Sequence, residues 1–257
     1  MSRIYTKNLT LGYEGKAIVK DVSLNFQDSQ INMLIGANGS GKSTLLAGLI
    51  HALKPMSGEV FLDDKELSTV PARQRATTIG LLPQHPQAPE GITVWDLVSR
   101  GRFPHQKWYQ QFTPEDEKAV RDALVKTNMI EFSESSLQEL SGGQQQRAWV
   151  AMALAQEASI LLLDEPTSFL DIKHQLDILQ VVKDLNRNHG ITVIMVIHEL
   201  NFALRFGDHI VAMKNGEVYT EGKAEEIATD HFVAEVFDLD ALVMKDPVHD
   251  TPMVVPR

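Results

Sequence analysis

The chain has 257 residues, no cysteine, and 34 acidic against 24 basic side chains, a formal charge of −10. That length suits one large α/β domain or a domain carrying an insertion, and the missing cysteines exclude disulfide staples. Nucleic-acid binding depends on clustered lysines and arginines against phosphates, so the acidic balance argues against a nucleic-acid partner.

The opening segments, IYTKNLTLGY and IVKDVSLNF, alternate apolar and polar positions and predict antiparallel strands. No apolar core of signal-peptide length precedes them. The longest apolar runs, ILLL and ITVIMVI, fall far short of the roughly 18 residues of a membrane span, so the chain is expected not to cross a bilayer by itself. INMLIG predicts a buried strand, and KSTLLAGLIHAL a helix ended by Pro55 and Gly58. GEVFLDDKEL reads as a hairpin, and TTIGLLPQ as a strand broken by Pro83. Between Gly91 and Gln156 helices dominate: TVWDLVSRGR, PEDEKAVRDALVKTNM with Pro114 in its first turn, and GGQQQRAWVAMALAQE.

Apolar strands then return in ASILLLDE and ITVIMVIHE, separated by the helix DIKHQLDILQVVKDLNRN. HIVAMKNGEVYTEG predicts a hairpin about Asn215-Gly216. The tail KDPVHDTPMVVPR reads as a last extended strand or a loose segment. Alternating strands and helices imply an α/β fold with a mostly parallel sheet. The expected architecture is a P-loop core with an antiparallel N-terminal β part, formed by residues 1–86 and 158–257, and a helical subdomain inserted at 87–157.

GANGSGKST, residues 36–44, matches G-x-x-x-x-G-K-[ST] between a strand and a helix. The candidate phosphate cradle is Gly36, Asn38, Gly39, Ser40, Gly41, Lys42, Ser43 and Thr44. Its backbone N–H groups point inward and the helix N-terminus adds positive potential. Lys42 is placed to reach the β- and γ-phosphates of a nucleoside triphosphate, and the Ser43 hydroxyl to ligate Mg²⁺. At the end of ILLLDE, Asp164 is a candidate for holding Mg²⁺, and Glu165 for taking a proton from an attacking water. LSGGQQQR opens a helix with Ser141 as its cap and two glycines that cost helix stability. Such a bare end suits the close approach of another molecule. His51, His174 and His189 lack metal-ligand spacing and read as surface or helix residues.

The motifs GANGSGKST, LLPQ, LSGGQQQR, ILLLDEP, SFLD and the VIHE strand end occur in the order found in the ATP-binding-cassette (ABC) ATPases, which the chain resembles over nearly its whole length. The resemblance implies that Ser141, Gly142, Gly143 and Gln144 cover the γ-phosphate of ATP held by a second copy of the chain. The residues alone leave a cis or trans arrangement open. It further implies that Tyr13 stacks on adenine, that Gln84 touches Mg²⁺ and the attacking water, that His198 contacts the γ-phosphate, and that Asp171 lies in a loop crossing between the copies. Glu199 and Phe169 depart from the aspartate and alanine common in the family, and neither carries the chemistry.

VWDLVSRGRFPHQ, residues 94–106, resembles the subgroup that energises uptake of iron–siderophore complexes, with haem and cobalamin as neighbouring cargoes. In that subgroup this stretch lies near the face that meets the permease. Read as a bare sequence it is a basic helix end, with Arg100 and Arg102 complementing the helix dipole. The resemblance implies a peripheral subunit at the cytoplasmic face of the inner membrane. It would work on separate transmembrane permease subunits, with an extracytoplasmic substrate-binding protein as an indirect partner. The other class of reading is a non-transport cassette ATPase acting on soluble partners.

Overall fold

The computed structural model describes residues 3–107, 111–168 and 170–257. The chain divides into two compact units, one running to Val70 and resuming over Thr192–Arg257, the other being Pro71–Ile191.

In the first unit β1 (Ile4–Tyr13) and β2 (Lys16–Val22) form an antiparallel hairpin. β3 (Ile31–Ile35) is INMLI, buried at every position, as expected of a strand covered on both faces. It feeds α1 (Lys42–Leu49). β4 (Ser57–Leu62) pairs with β1 and turns through Asp63 and Asp64, both at positive φ, into β5 (Lys65–Glu66). The four strands lie in the order β2-β1-β4-β5, all antiparallel.

α1 ends at Leu49, short of the Pro55 boundary that the sequence predicts. His51, at φ 60°, donates its N–H to Gly48 O at 2.9 Å, and the Ala52 N–H reaches Ala47 O at 2.9 Å. That double closure satisfies the last carbonyls and stops the helix, with a histidine standing where glycine is usual.

The second unit begins with α2 (Ala72–Thr78) and β6 (Ile79–Leu82). Thr77 and Thr78, expected to start the strand, belong to the helix. Their hydroxyls donate to Gln74 O at 3.0 and 2.9 Å, the local bonding that lets threonine sit in a last helical turn. α3 (Val94–Ser99), capped by Thr93, α4 (Pro114–Lys126) and α5 (Gly142–Ala155) pack together over Val94, Leu97, Val120, Leu124 and Ala148. α4 carries the predicted proline at its first position, three carboxylates in its first turn and a reciprocal Thr113–Asp116 capping box. β7 (Ile160–Asp164) pairs parallel with β6, and α6 (Ile172–His189), capped by Asp171, follows.

Back in the first unit, β8 (Thr192–Val196) lies parallel beside β3. After α7 (Leu200–Phe206), β9 (His209–Lys214) pairs parallel with the other edge of β3, and β10 (Glu217–Gly222) folds back antiparallel through Asn215-Gly216. The predicted mostly parallel α/β core with an antiparallel N-terminal sheet is the architecture observed. Two short helices, α8 (Ala224–Ile227) and α9 (Asp230–Phe237), lead to a hairpin of β11 (Ala241–Lys245) and β12 (Pro252–Pro256), so the proline-bearing tail ends as a strand. Among the described residues no helix is long and apolar enough to cross a membrane.

Candidate nucleotide site

The loop between β3 and α1 is shaped by two glycines. Gly36, at φ 146°, lies so close to the strand beside it that a β-carbon would stand 2.2 Å from Met213 O, and Gly41, at φ 101°, starts α1 from the left-handed region. Ala37, Asn38 and Gly39 are exposed at the loop's crest, whereas Ser40 and Lys42 are buried. The Lys42 ammonium lies inside the curl, donating to Gly36 O at 2.9 Å, Ala37 O at 3.0 Å and Ser40 Oγ at 3.4 Å. No acidic residue stands in the first turn of α1, so nothing on the helix offsets the positive end of its dipole. Ser43 is exposed and Thr44 half-buried, one and two positions along the same turn. In the same unit Tyr13 ends β1 with 54% of its surface exposed, and His198 follows β8 as an exposed residue.

In the second unit, Asp164 closes β7 and Glu165 leaves it at φ 52°. Glu165 is buried, and its Oε2 accepts from Gln84 Nε2 at 2.6 Å and from Ser168 Oγ at 2.9 Å. The structure therefore brings together Gln84 and Glu165, 81 residues apart in sequence. Ser168 joins them, and sequence reading passed over it. A signal was available, since a hydroxyl three residues after a strand-end carboxylate can reach back to it across a turn.

Ser141 caps α5, its Oγ accepting from the Gln144 N–H at 3.4 Å, while the Gln144 side chain accepts from the Ser141 N–H at 2.9 Å. The two glycines differ. A β-carbon on Gly142 would meet nothing within 4 Å, so this position opens the helix end to an approaching group. One on Gly143 would stand 2.6 Å from the His174 ring. His174 in turn donates through Nδ1 to Asp171 Oδ1 at 2.8 Å, and Asp171 also accepts from the His174 N–H at 2.9 Å. The backbone N–H of His174, then its ring, hold the Asp171 carboxyl below the ordinary carboxylate range.

Arg102 is not a solvent-facing basic residue at a helix end. It is 5% exposed, with Nε on Asp116 Oδ1 at 2.9 Å and one terminal nitrogen on Ala155 O and Glu157 Oε2, both at 2.7 Å. His105 Nε2 lies 2.7 Å from Gln156 O, and the Arg73 guanidinium grips the Pro104 and His105 carbonyls. Phe103 between them is 63% exposed, and Arg100 is exposed. Glu199 is the exposed N-cap of α7 and makes no side-chain cap bond. Phe169 lies outside the described residues.

A buried strand, a lysine-filled glycine loop and a helix N-terminus, with a strand-end Asp-Glu pair downstream, define a P-loop protein that binds and hydrolyses a nucleoside triphosphate. Comparison with known proteins narrows the class: the ABC transporter family profile matches residues 19–168, and the chain belongs to that family as one of its ATP-binding ATPase cassettes. It is 44% identical to the petrobactin import ATP-binding protein FpuD of Bacillus anthracis, over 98% of this chain and 92% of that protein. It is 41% identical to the ferric enterobactin transport ATP-binding protein FepC of Escherichia coli, over 100% and 94%. Among solved structures it is similar to the dimeric ATP-binding cassette MJ0796, in a post-hydrolysis state bound to ADP and Pi. That match has a TM-score of 0.75 and 33% identity, over 86% of this chain and 98% of that one.

Proposed function

We propose that this chain is the ATP-hydrolysing subunit of an importer for ferric siderophores, working in two copies on a separate transmembrane permease. Full-length similarity to petrobactin and ferric enterobactin import subunits supports the cargo class, and the dimeric cassette bound to ADP and Pi supports the pairing. The observation that carries the hydrolytic reading is the buried Glu165 carboxylate, aimed by Gln84 and Ser168 at the end of β7.

In this reading Tyr13 stacks on adenine. The N–H groups of Gly36, Asn38, Gly39, Ser40 and Gly41 and the start of α1, with Lys42 and Thr44, hold the phosphates. Ser43, Gln84 and Asp164 offer a hydroxyl, an amide oxygen and a carboxylate, all hard oxygen donors that suit Mg²⁺. Gln84 spends its Nε2 on Glu165 and keeps Oε1 for that duty. Mg²⁺ supplies positive charge against the β- and γ-phosphates when bound. Glu165 removes a proton from the attacking water, and His198 and Lys42 stabilise charge on the transferring γ-phosphoryl. The end of α5, with Ser141, Gly142, Gly143 and Gln144, closes over the nucleotide of the second copy, and the Asp171 loop lies between the copies.

ATP binding favours the closed pair and product release reopens it, which is a population shift set by differential affinity. The permease meets the helical subdomain at 87–157, where Phe103 is held out to solvent by buried neighbours. The chain sits at the cytoplasmic face of the membrane, and an extracytoplasmic binding protein delivers cargo to the permease. The test is Glu165→Gln. ATP binding is expected to persist while turnover falls at least about a hundredfold, the usual scale for losing a general base. Cells carrying only this variant are expected to stop accumulating labelled ferric siderophore. Turnover at the normal rate would overturn the assigned base, and unimpaired uptake would overturn the cargo.

A further inference from the structure

The second glycine of the LSGGQ turn has a partner that the proposed chemistry does not use. Gly143 faces the imidazole of His174, on the first turn of α6, and a β-carbon there would stand 2.6 Å from Cδ2, 2.8 Å from Cγ and 3.2 Å from Nε2. Real β-carbons do not approach ring atoms so closely, so any side chain at 143 displaces the ring. The ring is not free to yield. Its Nδ1 is fastened to Asp171 Oδ1 at 2.8 Å, and a carboxylate can only accept, so Nδ1 carries the proton. Asp171 is also the N-cap of α6 through the His174 N–H at 2.9 Å. One turn further along both helices, Arg147 of α5 meets Asp177 of α6 at 3.5 Å. The N-terminal turns of α5 and α6 are thus latched side by side at two successive levels.

We propose that His174 is a positioning residue that ties the anion-facing start of α5 to the Asp171 loop, so that the two present themselves to the second copy as one piece. The inference rests on the reading that these two ends act in ATP turnover. It assigns different reasons to the paired glycines: Gly142 leaves room for the nucleotide, whereas Gly143 leaves room for His174. The pair then depends on a contact internal to one chain. A displaced ring loses Asp171, and the capped turn that Asp171 organises loses its packing against Gly143. The cradle around Lys42 is untouched by either change, so ATP affinity is expected to hold while turnover falls.

The experiment measures steady-state ATP turnover and binding of a fluorescent ATP analogue to the purified full chain. The variants are Gly143→Ala, His174→Ala, the double variant, His174→Asn and His174→Leu. Gly143→Ala and His174→Leu are each expected to lower kcat about tenfold with KM for ATP within about twofold, the signature of lost transition-state positioning. His174→Asn keeps an N–H where Nδ1 stands and is expected to retain most of the activity. The double variant is expected to be about as slow as either single change rather than slower by the product of the two, because both break the same contact, a non-additivity that only contacting residues show. A double variant slowed by the product of the two single effects would overturn the proposal, as would equal kcat for His174→Asn and His174→Leu. The second comparison stands even if Gly143→Ala fails to fold. Failure of the underlying reading is separate: Lys42→Ala would then turn over ATP as fast as the unaltered chain.

Discussion

Glu165 is held in an unusual way for a strand-end carboxylate. Its φ of 52° is a conformation that non-glycine residues adopt at a cost of about 1 kcal/mol or more. Two side-chain donors, Gln84 and Ser168, converge on the same oxygen. Ser168 spans only the turn after β7, so its hydroxyl orients Glu165, the proposed base, without a role in gripping phosphates. Ser168→Ala is expected to lower kcat about threefold to tenfold and leave KM for ATP unchanged, as steady-state turnover would show. The Asp164-Glu165 pair was legible in sequence because a buried apolar strand ending in carboxylates has few other uses. Ser168 and His174 were not, for a physical reason. Serine and histidine in helical or turn sequence are commonplace, and what singles these two out is a partner oxygen or a missing β-carbon that only the folded backbone brings near. The glycines of 36–44 stand between these cases: their spacing announces a phosphate loop, but the collision of Gly36 with Met213 O joins residues that sequence cannot relate.

At the level of elements, the stretch after α3 is organised around one buried cation. Arg102 serves Asp116 in the first turn of α4, the last carbonyl of α5 and Glu157 at once, so a single guanidinium ties the stretch after α3 to both helices. Removing the guanidinium leaves the buried Asp116 carboxylate uncompensated. Arg102→Met is therefore expected to cost about 3 kcal/mol in denaturant unfolding. Arg102→Lys is not expected to rescue it, since an ammonium lacks the forked geometry that reaches both partners. The same cluster sets an acid limit. Burial raises the Asp116 carboxyl, but the Arg102 guanidinium and the Thr113 N–H and hydroxyl outweigh it, and the net shift is below the ordinary 3.8. A depressed folded pKa adds stability that is complete above the unfolded value and disappears as pH falls through the folded one. The stability gap between the unaltered chain and Asp116→Asn is thus expected to be constant near neutrality and to close below about pH 4. Unfolding curves at pH 7, 5 and 3.5 would read it. Element boundaries were harder to foresee than element identities. α1 stops where His51 takes a left-handed turn that histidine rarely takes, and Thr77 and Thr78 stay helical because Gln74 O accepts both hydroxyls.

For the whole molecule, each copy carries a formal charge of −10, so two copies closing around two ATP molecules bring together surfaces of like sign. The attraction proposed to pair them is local: helix ends and N–H groups against phosphate, over a few ångströms and shielded from solvent. The repulsion is spread over the surface and acts through water. These two respond differently to salt. At 50 mM the screening length is on the order of 14 Å, and at 300 mM on the order of 6 Å, so added salt weakens the diffuse repulsion far more than the buried contacts. Glu165→Gln saturated with ATP is therefore expected to populate the dimer more fully at 300 mM than at 50 mM sodium chloride, by about threefold or more in association constant. Light scattering or sedimentation would follow the change, with the nucleotide-free chain monomeric throughout. The opposite trend would mean that exposed opposite charges, rather than the helix end over phosphate, draw the copies together. That outcome would move the search for the pairing contacts from α5 to the salt-sensitive rim of the molecule.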